Sequence, residues 1–216
     1  MSDPRLDRLL EHPAIWRGAG AARAAAVSTG FPELDARLPG EGWPQTGLVE
    51  ILIPELGVGE LSLLLPALGS LSRRATARWC ACIAPPFEPF APALAAHGLD
   101  LERLLVVHTE APLWPCEQSL RSGACDAVIA FVRRIQTRAL RRLQLAAEQG
   151  RTLGFLLRTL SQRTLQEPSC ATLRLAVQPA QGALRITLLK CRGARRGSLE
   201  LTPPALCLQS ARQSAI

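Results

Sequence analysis

Residues 48–53 read LVEILI, and short, nearly continuous apolar runs of the same kind return at 79–83, 104–108, 125–132 and 152–160. Runs of this length without polar alternation predict strands covered on both faces, as in a parallel sheet. Between them lie segments with helical length. Residues 61–71 are apolar with Pro66 inside, which must kink a helix or mark its first turn. FAPALAAHG predicts a helix stopped by glycine, and a further helix is expected to begin near Pro115 and to end at Gly123. TRALRRLQLAAEQG is amphipathic, with Leu140, Leu143 and Ala147 inward and Arg138, Arg141 and Arg142 outward, and it should stop at Gly150. Strand and helix thus alternate four times, which implies an α/β fold with a mainly parallel sheet, flanking helices and right-handed crossovers. ATLRLAVQ and ALRITLLKC, joined by PAQG, then predict an antiparallel C-terminal hairpin.

The pattern changes at both ends. Residues 1–26 hold a short helical stretch, a proline turn and the alanine-rich GAGAARAAA, and are expected to form an arm outside the core. Residues 27–196 are the expected core, and 197–216 a flexible C-terminal tail. Early in the core, Leu34 and Leu38 fall on one face of a short helix, ahead of a Gly/Pro-rich turn.

A chain of 216 residues, 48% hydrophobic and 20% charged, is long enough for a sizeable core. No stretch reaches the ~18 to 20 apolar residues of a membrane span, and the N-terminal residues lack a signal-peptide core, so a cytoplasmic protein without membrane contact is expected. Its seven cysteines do not follow zinc-site spacing and read as buried, reduced thiols, and the three histidines stand far apart in sequence; neither predicts a metal site. The net charge of +7 suits contact with an acidic surface such as nucleic acid. Lys190 is the sole lysine.

The scarcity of lysine matters for IPELGVGELSL at 53–63, where a strand, a two-glycine turn and an apolar run occupy the place of a phosphate loop. Such a loop needs its first glycine, a lysine for the β/γ-phosphates and a hydroxyl for Mg²⁺. Here Gly57 and Gly59 lie in the turn, but Pro54 replaces the first glycine, Glu60 the lysine and Leu61 the hydroxyl residue. A carboxylate ~4 Å from a phosphate charge, at an effective dielectric of ~20, is repelled by ~4 kcal/mol. No nucleotide cofactor is therefore expected.

VSTGFPELDARLPGEGWPQTGLVEI, with its S-T-G-x-x-x-L-D motif at 28–35, resembles the opening segment of RecA-like recombinases, and GALRITLLKCRGARR is similar to their closing core strand. More narrowly, the chain resembles the ImuA family, RecA-like proteins associated with translesion DNA synthesis. Its middle, from ARWCACIAPP to QSLRSGACDAVIAFV, also resembles the SulA cell division inhibitors. The resemblance implies a RecA-like core in which Pro86 stands at the place of the catalytic glutamate and Phe131 at that of the Mg²⁺-associated aspartate, with Asp126 at the opposite end of its strand. A one-residue shift in alignment would bring Glu88 or Asp126 forward instead.

The ImuA resemblance implies a non-catalytic accessory factor of SOS-induced lesion bypass. Its partners would be an ImuB-type Y-family protein, an error-prone C-family polymerase and RecA. The alternatives are a SulA-type inhibitor that sequesters the tubulin-like division GTPase, and a DNA-dependent ATPase. Arg133, Arg134, Arg138, Arg141 and Arg142 fall near the first DNA-facing loop of such proteins, and Arg158 and Arg163 near the second; with Arg195 and Arg196 they are the candidates for partner or weak, sequence-blind DNA contact. Neither loop carries an aromatic stacking platform. Trp16, Trp43 and Trp114, set among glycines and prolines, are candidate interface anchors.

Overall fold

The computed structural model describes residues 25–191 and 197–202. Nearly all of the expected arm, with Trp16, therefore falls outside the described residues, as do Arg195 and Arg196. The described chain opens with β1 (Ala26–Val27), which pairs antiparallel with β2 (Trp43–Pro44). Between them, the short helix α1 (Pro32–Asp35) follows a loop closed by the S-T-G-x-x-x-L-D motif. Ser28 Oγ donates to Asp35 at 2.7 Å, and the Thr29 N–H donates to the same carboxylate at 2.8 Å. Gly30 packs so tightly on Pro66 that a Cβ would lie 2.4 Å from the proline ring. The motif thus fastens the opening segment to the first long helix.

Among the described residues the main sheet has eight strands: β3 (Gly47–Ile53), β4 (Trp79–Ile83), β5 (Leu104–Val107), β6 (Cys125–Phe131), β7 (Leu153–Thr159), β8 (Leu173–Ala180), β9 (Ala183–Cys191) and β10 (Gly197–Leu201), in the order β10-β9-β8-β3-β7-β6-β4-β5. Strands from β5 through β8 run parallel, and β9 and β10 add antiparallel ladders at one side. The mixed α/β architecture, the mostly parallel sheet and the hairpin are as the apolar runs predict. The expected tail boundary at 196 is not where the sheet stops: β10 pairs with β9 through Leu201, which is buried in the core. GSLEL alternates polar and apolar residues, the pattern of an edge strand with one covered face.

Helix α2 (Glu60–Ser72) carries Pro66 in its interior rather than its first turn. Its leucines share one core layer with α3 (Ala91–Ala96), through Leu63, Leu64, Leu68 and Leu94, against Val49, Ile51, Ile53 and Phe155. The opposite layer is built by α4 (Leu113–Arg121) and α5 (Thr137–Gly150), whose Leu120, Leu140 and Leu143 meet Ala81, Val128 and Leu156. Helix α4 begins two residues before Pro115, which sits in its first turn, where a missing N–H costs nothing. After β7, residues 161–170, where the resemblance places the second DNA-facing loop, contain the helix α6 (Gln162–Gln166), started by a Ser161/Thr164 capping box.

Two sequence-derived candidates are part of this framework. Trp43 is not an exposed anchor: it is fully buried and meets Phe155 edge to face with ring centroids 5.4 Å apart. Arg158 is not a free surface cation either. It is buried on β7, donates to Glu50 of β3 and Glu167, and belongs to a network completed by Arg174 of β8.

Candidate functional site

The functional candidates gather where the parallel strands end. In open α/β sheets the strands' carboxyl ends leave crevices that the following loops close. The first such loop, residues 54–59, joins β3 to α2. Gly57 and Gly59 take positive φ angles of 88° and 103°, a conformation that an L side chain resists. The backbone amides then turn towards the start of α2, whose own first N–H groups have no helical partner. Glu60, the first residue of α2, is only 5% exposed and folds its carboxylate back into this turn. Its oxygens accept the Gly57 N–H at 3.1 and 3.2 Å and the Gly59 N–H at 3.1 Å.

Residue type alone makes Glu60 a charge facing a phosphate. In the tertiary structure the carboxylate is already hydrogen-bonded to the amides of the turn. Pro54 and Leu61 flank it, one exposed at the end of β3 and one half-buried on the first turn of α2.

The residues raised as catalytic alternatives are elsewhere. Asp126 sits at the amino end of the sheet, where it accepts the Arg78 backbone N–H at 2.6 Å and its Nε–H at 2.9 Å. Glu88 is exposed, 3.3 Å from His108 Nε2. Phe131 and Pro86 do line the carboxyl-end crevices, and neither can hold a metal. Among the described residues, no three His, Cys, Asp or Glu side chains are grouped as metal ligands would be. No described helix is long and apolar enough to cross a membrane.

Two crevices open here and share Leu56, Pro86 and Phe131. The smaller, about 220 Å³, lies between α2 and the segment 85–90 and is walled by Leu61, Leu65, Leu94 and Leu99, with Glu60 at its edge. Over it stand Phe87 and Phe90, 75% and 63% exposed. Pro85, Pro86 and Pro89 keep this segment out of both sheet and helix, which is why two phenylalanines can be displayed there. Neither is among the candidates drawn from sequence; the signal that could have found them is PPFEPF itself. Ala84, which leads into the segment, has a φ of 51° and bonds to the Val107 carbonyl at 2.8 Å.

The larger crevice, about 990 Å³, runs over the ends of β3, β4, β6 and β7, and is lined by Trp114, Arg133 and Arg134 together with Glu55 and Glu110. Trp114 is 70% exposed. Arg138, Arg141 and Arg142 are exposed, as α5's amphipathy predicts, and Arg133 and Arg134, in the loop before it, are exposed too. They are not equivalent, because Arg142 pairs with the buried Glu117, which also takes Arg121 at 2.8 Å and so clasps α4 to α5. Arg163 lies exposed on α6, 3.4 Å from Glu167.

Arg158 has a different task. Burial by itself would depress its pKa, but hydrogen bonds to Glu167 and Glu50 and the nearby carboxylate charges hold it up. The Arg158 hydrogen bond in turn holds the Glu167 carboxyl below the usual range. Arg174 Nε lies 2.9 Å from Glu50, too oblique for a hydrogen bond, while its terminal nitrogens donate to the Glu167 and Thr164 carbonyls. Each charge in this network has an opposite charge beside it, and the network ties three strands together at the wall of the larger crevice, which Arg158 lines. Cys80, Cys82 and Cys116 are buried and reduced, each pushed up to about 12 by burial, so none is a nucleophile at neutral pH.

No protein-family model matches the chain. Curated relatives do, and they are division inhibitors. "Cell division inhibitor SulA" of Yersinia enterocolitica is 27% identical over 134 residues, 60% of this chain and 79% of that protein. "Cell division inhibitor SulA" of Pseudomonas aeruginosa is 32% identical over 102 residues, 45% of this chain and 63% of that protein. A crystal structure of the Pseudomonas aeruginosa SulA matches with 29% identity and a TM-score of 0.44 over 52% of this chain and 98% of that one. The chain is homologous to SulA over part of its length. That homology supports the division-inhibitor alternative over the translesion role implied by the ImuA resemblance.

Proposed function

We propose that this protein is a non-catalytic, cytoplasmic inhibitor of cell division of the SulA type, made under DNA damage, that sequesters the tubulin-like division GTPase. The partial homology to SulA inhibitors is the observation that carries this reading. The turn after β3 supports its non-catalytic half, since the Glu60 carboxylate occupies the amides that a phosphate would need. A protein without turnover must act through surface. Leu56, Phe87 and Phe90, exposed above the smaller crevice, form an apolar patch of the kind that marks protein contact. Overexpression should give filamentous cells with blocked septa, and the purified protein should lower polymerisation of the division GTPase. Replacing Phe87 and Phe90 by serine should relieve both effects. Normal septation with soluble, abundant protein would overturn the proposal.

A second reading rests on the parts of the chain resembling RecA-like proteins. The Ser28–Asp35 clasp and the β8–β9 hairpin are both formed, which supports a RecA-like core with a degenerate phosphate loop. On that reading the chain serves lesion bypass with an ImuB-type Y-family protein, an error-prone C-family polymerase or RecA. Capture from DNA-damaged cells separates the two: recovery of the division GTPase favours the first, recovery of a Y-family protein or RecA the second.

A further inference from the structure

The smaller crevice, about 220 Å³, is walled by aliphatic side chains and flanked by Phe87 and Phe90, which stay 75% and 63% exposed. It falls below the ~300 to 1,000 Å³ of small-molecule sites and suits one or two aliphatic side chains. Its charged lining residues are Glu60 and Glu88, with no arginine among them, although the chain as a whole carries +7. The occupant it suits is an apolar segment without acidic residues.

A segment of that kind follows the last strand, and the strand ends nearby. Strand β10 is antiparallel to β9 and so runs with β3 and β8, which brings Leu201 to the carboxyl end of the parallel strands. Leu201 pairs with Leu184, and Leu184 packs on Gly59, where a Cβ would lie 3.0 Å from its side chain. Gly57 and Glu60, on either side of that turn, line the crevice. One strand spacing of ~5 Å and one helix width of ~10 to 12 Å thus separate Leu201 from it. Residues 203–216, PPALCLQSARQSAI, come next in the chain and lie outside the described residues. Leu206 and Leu208 stand five and seven residues beyond Leu201, a reach of ~17 and ~23 Å in an extended chain. Two residues apart, they share one side of such a chain. Arg212 is the only charged side chain of the segment.

We propose that residues 204–208 of this chain dock in the smaller crevice, with Leu206 and Leu208 seated between α2 and the two phenylalanines. Tethering makes the contact intramolecular, so a modest intrinsic affinity is enough to keep it closed. Arg212 is drawn to the same acidic rim. The docked tail covers the patch that the division reading assigns to the GTPase, so on that reading it is a self-inhibiting cover; the docking itself does not rest on that reading.

The test uses the purified full chain and needs no GTPase, so its failure and that of the division reading are distinguishable. With p-benzoyl-phenylalanine at position 90, photo-crosslinks should map to residues 204–208 in species of monomer mass. Maleimide labelling of Cys207, followed by mass spectrometry of its peptide, should be roughly tenfold slower in the parent than in Leu206→Ser/Leu208→Ser, equivalent to ~1.4 kcal/mol of docking. Phe87→Ser/Phe90→Ser should reach the same fast rate, and Trp114→Ser, in the other crevice, should label like the parent. All these positions are exposed or lie outside the described core, so thermal melts of the variants should match the parent. Crosslinks that join two chains, none within residues 203–216, equal Cys207 rates in the parent and both double variants, or equal acceleration by Trp114→Ser would each overturn the proposal.

Discussion

Glu60→Ala removes the carboxylate and nothing else from the turn after β3. Two amides lose their acceptor: the Gly57 N–H, shared by both oxygens, and the Gly59 N–H, with contacts of 3.1 to 3.2 Å. A hydrogen bond to a charged group contributes ~1.5 to 3 kcal/mol, and a negative charge at a helix N-terminus ~0.3 to 1 kcal/mol. Gly57 is exposed, so water takes over part of that loss, which places the net cost at the lower end, ~2 kcal/mol. For a chain of this size the melting temperature falls by ~4 to 8 °C. Glu60→Gln keeps an acceptor oxygen but turns a donor towards the second amide, and is expected to cost about half as much. Urea denaturation of the three proteins at neutral pH measures this, with mid-points shifting at constant slope. The same samples, titrated with Mg·ATP, test whether the carboxylate keeps phosphate out. Saturable micromolar binding by the parent protein, or a Glu60→Ala variant as stable as the parent, would refute the claim that the carboxylate fills the turn.

Other consequences arise from buried charges and thiols. Glu50→Ala strands Arg158 and Arg174 in the sheet and is expected to cost ~3 to 5 kcal/mol by urea denaturation, whereas replacing all three by residues of similar shape such as methionine should cost much less. Because Arg158 holds Glu167 below the usual carboxylate range, that stability is fully present above the unfolded carboxyl's pKa and is lost as pH falls through the lowered folded value; Glu167→Gln should flatten the acid limb of a stability–pH curve. The thiols act at the other end. Cys80, Cys82 and Cys116 contribute stability that is fully present below about 9, the ordinary thiol value, and lost as pH climbs from there to about 12. Maleimide labelling should therefore be slow at neutral pH and accelerate with alkaline unfolding. Trp43→Ala empties the core against Phe155 and should cost ~3 to 5 kcal/mol by the same urea assay.

Local pattern was enough for the elements themselves. Apolar runs gave the strands because a strand buried on both faces needs no polar alternation, and α5 was legible because a 3.6-residue period survives whatever packs on it. The departures at Pro54, Glu60 and Leu61 were equally visible, as they concern residue type alone. Strand β10 was missed because five residues after a basic stretch become a strand only when β9 offers an edge to pair with.

Only the tertiary structure decided which side chains face solvent and which face each other. Trp43 lies in a Gly/Pro-rich turn that looks exposed from sequence, yet Phe155 from a distant strand closes over it. Arg158 and Glu50 stand 108 residues apart and meet because β3 and β7 are neighbours in the sheet. Trp114, Arg133 and Arg134 share a crevice for a similar reason. Hydrophobic periodicity is a property of neighbouring residues, so sequence holds it; burial and ion pairing depend on elements brought side by side by strand order, which no local window contains.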